Sequence, residues 1–134
     1  MLNMPFTFVP FIAYNFVVFY IGPQSLFTVV FAVDLPSFVH SDGNWKISTA
    51  DMIMMMALLF LYVEIFKATR TSQIVIFDHA LSIGVFVLYL VEFLLLPEAG
   101  TSLFFMLTLI ALIDVLAGLT VTLTGARRDI HVDG

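Results

Sequence analysis

Residues 101–126 read TSLFFMLTLIALIDVLAGLTVTLTGA, and this stretch decides the fold. Its 26 residues carry one charge, Asp114. As an α-helix it extends ~39 Å at about 1.5 Å per residue, more than the ~30 Å hydrocarbon core of a bilayer. A helix on the surface of a soluble domain shows a polar face; here Leu, Ile, Val and Phe occupy most of the circumference. The stretch is expected to span a membrane. Ser102 is the expected N-cap, Pro97-Glu98-Ala99-Gly100 a tight turn before it, and Arg127-Arg128 the water interface behind it.

The rest of the chain agrees. Of its 134 residues, 61% are apolar and 11% charged, with mean hydropathy +1.08. Soluble domains are about 45–50% apolar and about 25% charged. Intrinsic disorder is excluded by the same abundance of Phe, Val, Ile and Leu. The absence of cysteine excludes a disulfide scaffold and thiol-based zinc or redox chemistry. The net charge is −5, and the five basic residues are Lys46, Lys67, Arg70, Arg127 and Arg128. No basic stripe is available for nucleic acid or for a polybasic lipid anchor. No Lys or Arg precedes Lys46, so the charged start of a signal peptide is not expected. The helices themselves are the expected anchor.

Three further spans are expected around the fourth. Residues 74–96 form one, stopped by Pro97. Residues 49–70 form another, where Ser48 and Asp51 have capping-box spacing and Lys67 and Arg70 suit the negative end of the helix dipole. A helix over 5–21 is ~25 Å long, the lower limit for crossing, with Pro5 at its first position and Pro10 as a kink. After Gly22-Pro23 the pattern changes to period two, Phe27, Val29, Phe31 and Val33 alternating with their neighbours. A β-hairpin over about 24–48 is expected, pairing Leu26–Val33 with Trp45–Ser48 across an Asp42-Gly43 turn. The alternative is one helix from Pro5 to Val33. The expected fold is therefore all-α: one membrane domain, a four-helix bundle with a short hairpin between helices one and two.

Four helices place Lys67, Arg70, Arg127 and Arg128 on one side and Lys46 on the other. The positive-inside rule then puts both termini in the cytoplasm and the hairpin outside.

Within the helices a carboxylate costs roughly 2.5–3.5 kcal/mol on insertion scales, so each acid asks for an explanation. Asp114 lies near the midplane. At about 100° per residue, Ala111, Asp114, Gly118, Thr122 and Gly125 share an arc of about 80°, a stripe that suits close helix packing. On the preceding helix Asp78, Ser82, Tyr89 and Glu92 share a face, His79 standing apart. The four-residue turn makes these two helices antiparallel neighbours. Counted from it, Ser82 and Asp114 lie at similar depths, ~21 and ~19.5 Å, within hydrogen-bonding reach; Glu64 is level with them. Asp114, Ser82 and Glu64 are thus the candidate proton, ion or interhelical polar site. Two carboxyl groups at one depth can share a proton. Alternatively Glu64 pairs with Lys67 and snorkels toward water. Glu92 and the Asp78-His79 pair are expected at water interfaces.

Catalytic sets, phosphate-binding glycine loops and HExxH motifs are missing from the sequence. His40, His79 and His131 offer no facing pair for haem. The run Met52–Met56 points around its helix, which suits packing and not one metal ion. No enzyme activity and no cofactor are expected. The segments VEIFKATR (63–70), DHALS (78–82) and DVLAG (114–118) through ARRD (126–129) resemble a family of small uncharacterised bacterial inner-membrane proteins. The resemblance implies a bacterial plasma membrane and brings no activity, cofactor or substrate. The expected role is a non-enzymatic accessory or scaffolding subunit among membrane lipids, self-associating or within a larger membrane complex. The alternative is a small oligomeric proton or cation channel or transporter using Asp114 and Glu64. The orientation has a direct test: a reporter fused at Gly134 should act in the cytoplasm and one at Asp42 outside, and the reverse pattern overturns it.

Overall fold

A computed structural model describes residues 4–36, 43–70 and 74–132. Along the chain come α1 (Phe8–Phe16), a π-helical continuation (Val17–Ile21), a 3-10 turn (Pro23–Phe27), β1 (Val29–Asp34), β2 (Asn44–Ser48), α2 (Thr49–Ala68), α3 (Ile74–Leu95), a second 3-10 turn (Pro97–Ala99) and α4 (Ser102–Val132). Among the described residues there are thus four helices and one two-stranded antiparallel sheet. Three stretches, Thr49–Ala68, Val75–Leu95 and Ser102–Ile130, are long and apolar enough to cross a membrane.

The first helix is shorter than expected. Nine α-helical and five π-helical residues rise ~21 Å at about 1.5 Å each. It begins at Phe8 and not at Pro5, so Pro10 falls in the first turn. Amide N–H groups there have no partner within the helix, and the chain runs through Pro10 without a break. At the far end Gly22 N–H reaches back to the Val17 carbonyl at 2.9 Å. Gly22 has φ +116°, a conformation that side-chain-bearing residues rarely adopt, and it ends the helix. A continuous helix to Val33 is therefore not formed.

The hairpin follows, and its first strand starts later than the alternation suggests. Leu26 and Phe27 belong to the 3-10 turn, where Leu26 is buried within the apolar core. Strand pairing runs from Val29 opposite Ser48 to Asp34 opposite Asn44, with a bulge between Val29 and Phe31. Every residue of β1 is exposed, so here period two marks a strand without a buried face. Gly43 has the positive φ of a turn glycine, +66°; Asp42 and His40 lie outside the described residues.

Helix starts follow their caps. Ser48 accepts from the Asp51 N–H at 3.3 Å while its own N–H donates to Asp51 at 2.8 Å, the reciprocal box expected before α2. For α4 the cap is Thr101 and not Ser102: Thr101 Oγ1 accepts from the Phe104 N–H at 3.1 Å. Thr101 also meets Tyr14, whose hydroxyl lies 2.8 Å from Thr101 Oγ1 and donates to the Glu98 carbonyl at 2.9 Å. At its other end α4 continues past Arg127-Arg128 to Val132, since no Gly or Pro interrupts residues 126–132.

α3 and α4 pack antiparallel, α2 lies against α4, and α1 fills the space between them at the hairpin end. There Phe11, Tyr14, Tyr89 and Phe104 interlock, with centroids 4.8 Å apart for Tyr14–Phe104 and 4.9 Å for the edge-on Phe11–Tyr89 pair. Outward-facing side chains such as Leu59, Tyr62, Phe77 and Leu94 are exposed and apolar, a surface that hydrocarbon suits and water does not. The cap assignment is testable by thermal unfolding in detergent. Thr101→Ala should cost roughly 0.5–2 kcal/mol and lower the midpoint, whereas Ser102→Ala should leave it nearly unchanged.

Candidate functional site

α1 begins inside the protein, and this builds the site. A helix start carries N–H groups without helical partners, which an apolar interior cannot satisfy. Pro5 before the helix and Pro10 in its first turn carry no N–H at all. Phe6 N–H donates to Glu64 Oε1 at 2.6 Å. The next residue, Thr7, donates its hydroxyl to Asp114 Oδ2 at 3.2 Å, and its carbonyl accepts from Tyr89 at 3.0 Å. Thr7 is only 2% exposed; Glu64 and Asp114 are 5% exposed. Helices α2, α3 and α4 thus each supply a side chain to one end of α1.

Beside these bonds lies a small, partly enclosed chamber of about 10 Å³, close to the smallest space that holds a water. Glu64, Lys67, Asp78, Ser82 and Asp114 face it, and His79, Gly118, Ala68 and Val75 complete its wall. The three residues aligned by depth in the sequence, Asp114, Ser82 and Glu64, are therefore together in the structure. Three neighbours join them that residue counting placed elsewhere.

Lys67 is the first. Its Nζ is 3.1 Å from Glu64 Oε1 and 4.9 Å from the centre of the Phe6 ring, a cation–π distance. The expected pairing forms, but Glu64 does not snorkel toward water: it turns inward because the Phe6 N–H lies there. Asp78 and His79 are the others. Both lie near the start of α3 as expected and are half-buried, but they are not fully solvated. Asp78 Oδ1 is buried and has no hydrogen-bond partner. His79 Nε2 is 2.6 Å from Thr122 Oγ1. Its ring occupies the place where a side chain at Gly118 would stand: a Cβ there would lie 2.6 Å from the imidazole.

The rest of the α4 stripe divides. Ala111 is buried against the core and Thr122 holds His79, but Gly125 is exposed with nothing packed on it. Of the α3 face, Ser82 and Tyr89 are buried, while Glu92, near the end of α3, is half-buried with Oε1 shielded and unpartnered. Ile53 of the Met52–Met56 run is buried and its methionines are half-buried or exposed around it, consistent with packing. Among the described residues no group of three or more His, Asp or Glu is arranged to hold a metal ion.

Two signals for the missed residues were present in the chain. Thr7 is the one polar residue between Met4 and Ala13, set between two prolines. His79 lies 18 residues before Pro97, and Gly118 lies 18 after Gly100, so an antiparallel turn brings them level.

Comparison with protein-family models, curated proteins and solved structures gives no match. The arrangement of side chains alone supports any functional reading.

The tether of α1 is testable by a double-mutant cycle. Thr7→Val and Asp114→Leu should each destabilise the protein, and the pair should fall short of additivity by ~0.6–1.7 kcal/mol, the range of interhelical hydrogen bonds in apolar surroundings. Strict additivity, read from unfolding in detergent, would show that the bond contributes nothing.

Proposed function

We propose that this is a non-enzymatic protein of the bacterial plasma membrane, with both termini cytoplasmic, that exchanges protons through the chamber between α2, α3 and α4 and acts as an oligomer. One observation carries the reading. Three carboxyl groups, those of Glu64, Asp78 and Asp114, face a single small space opposed by one ammonium, that of Lys67. Ionisable groups deep in apolar helices are costly, and their convergence favours use over accident. The available chemistry is proton binding and release among hydrogen-bonded carboxyl groups; the chamber is too small for a hydrated cation.

A route toward the chamber supports the same reading. Beyond the start of α1, the space between the other helices is an open groove of about 610 Å³. Thr69, Arg70, Thr122 and Arg128 line it, and it shares Ala68 and Val75 with the chamber. One four-helix chain is small for a complete path, so the other half of the route falls to neighbouring copies.

A second reading has its own observation. Glu64 and Asp114 each hold the start of α1, so both could be structural, and the protein would then be an accessory or scaffolding subunit of a homo-oligomer or larger membrane complex. Purified protein in proteoliposomes with an imposed pH gradient separates the two. Proton exchange predicts a flux in wild type that Asp114→Asn abolishes, since the amide still accepts from Thr7 but exchanges no proton. Wild-type vesicles that stay proton-tight, with the protein recovered in a larger complex after gentle extraction, favour the scaffold.

A further inference from the structure

We propose that His79 is the gate of the chamber: seated on Gly118 and tied to Thr122, its imidazole closes the chamber against the open groove. The proposal deepens the proton-exchange reading and rests on it for its biological meaning, but its geometry is independent.

The two spaces are adjacent and unequal. The groove is about 610 Å³ and open; the chamber is about 10 Å³ and more enclosed. Ala68 and Val75 line both, so the wall between them passes through these two small side chains. His79 belongs to the chamber and Thr122 to the groove, and the 2.6 Å contact between them bridges that wall. Ala68 and Val75 have no polar groups to hold a water. His79 is therefore the polar element at the boundary.

The imidazole is held at two points. Thr122 has a single hydroxyl proton, and its Oγ1 is 2.9 Å from the Gly118 carbonyl, the usual donation of a helical threonine. With that proton on the carbonyl, His79 donates to Thr122 through Nε2–H. On the other side, the ring lies against Gly118, with Cε1 and Nδ1 at 2.6 and 2.7 Å from where a Cβ would be. Gly118 is thus a seat for this ring, and alanine would displace it. A ring held by one hydrogen bond and one flat contact can leave by rotation about its side-chain bonds, without any movement of α3 or α4. Its departure would join the chamber to the groove and bring water to Asp78 and Asp114.

The chain has no cysteine, so one introduced thiol reports access. In the full-length protein in lipid vesicles, Ser82→Cys places the thiol in the chamber. Ag⁺, a water-sized probe, converts R–SH to R–S–Ag with release of a proton. The thiol left after a timed pulse is counted with a maleimide in denaturant. Ala57→Cys, at a core position only 1% exposed, serves as the control for folding.

With His79 in place the reaction at position 82 should be slow. His79→Ala and Gly118→Ala should each speed it by roughly tenfold, the effect of losing one closing hydrogen bond, and His79→Gln, which can still donate to Thr122, should keep it slow. The rate at position 57 should stay unchanged throughout. Equal rates at position 82 with and without His79, whether slow or fast, overturn the proposal, as does an acceleration that appears equally at position 57. Failure of the proton-exchange reading has a different signature: no flux in wild-type vesicles, with the labelling difference intact.

Discussion

The chain entering α1 lies inside an apolar interior, where polar groups need protein partners; the Phe8 and Val9 N–H groups meet the Pro5 and Phe6 carbonyls locally, and the groups of Phe6 and Thr7 are met by the other three helices. Phe6 N–H takes Glu64, the Thr7 hydroxyl takes Asp114, and the Thr7 carbonyl takes Tyr89. Prolines at positions 5 and 10 remove two further donors. α2, α3 and α4 must therefore all reach the same point, and their relative heights are constrained by it. The aromatic cluster of Phe11, Tyr14, Tyr89 and Phe104 packs on the hairpin side of that point, where α1 is present to complete it.

The consequence is a protein with two unlike halves. In one, four helices surround a dense aromatic core. In the other, α1 is absent and three helices leave an open groove. The chamber lies at the transition, and its polar residues do two jobs at once. Glu64 and Asp114 are hydrogen-bonded to α1, which explains their burial without appeal to transport. Asp78 is different: one of its oxygens is shielded and unpartnered, and a bond to α1 does not account for it. This residue, more than the two acids that satisfy the helix end, distinguishes a chamber from a mere tether.

Much of the architecture was legible because membrane-scale hydrophobicity is a local property. Twenty or so apolar residues bounded by Pro97, Thr101 or the Ser48–Asp51 box read as helices whatever surrounds them. The short helix was harder. Pro5, Pro10 and Gly22-Pro23 announce interruptions but not their geometry: Pro10 disturbs nothing in a first turn, whereas Gly22 adopts positive φ and stops the helix. Residue counting at about 1.5 Å per residue also sufficed to bring Asp114, Ser82 and Glu64 level. It did not show what Asp78 and His79 meet, because nearness to a helix start says nothing of the neighbouring helix.

By itself the sequence determined three long apolar helices, a hairpin, the antiparallel pairing of α3 with α4, and the common depth of Asp114, Ser82 and Glu64, since each depends on local pattern or on distance along the chain from one turn. The tertiary structure alone decided where α1 begins, that its free N–H and hydroxyl turn the two acids inward, and that His79 rests on Gly118 against Thr122. Those features join residues 43 to 107 positions apart. Their direction is set by which donors happen to face which acceptors when helices pack, and no spacing within a single helix contains that information.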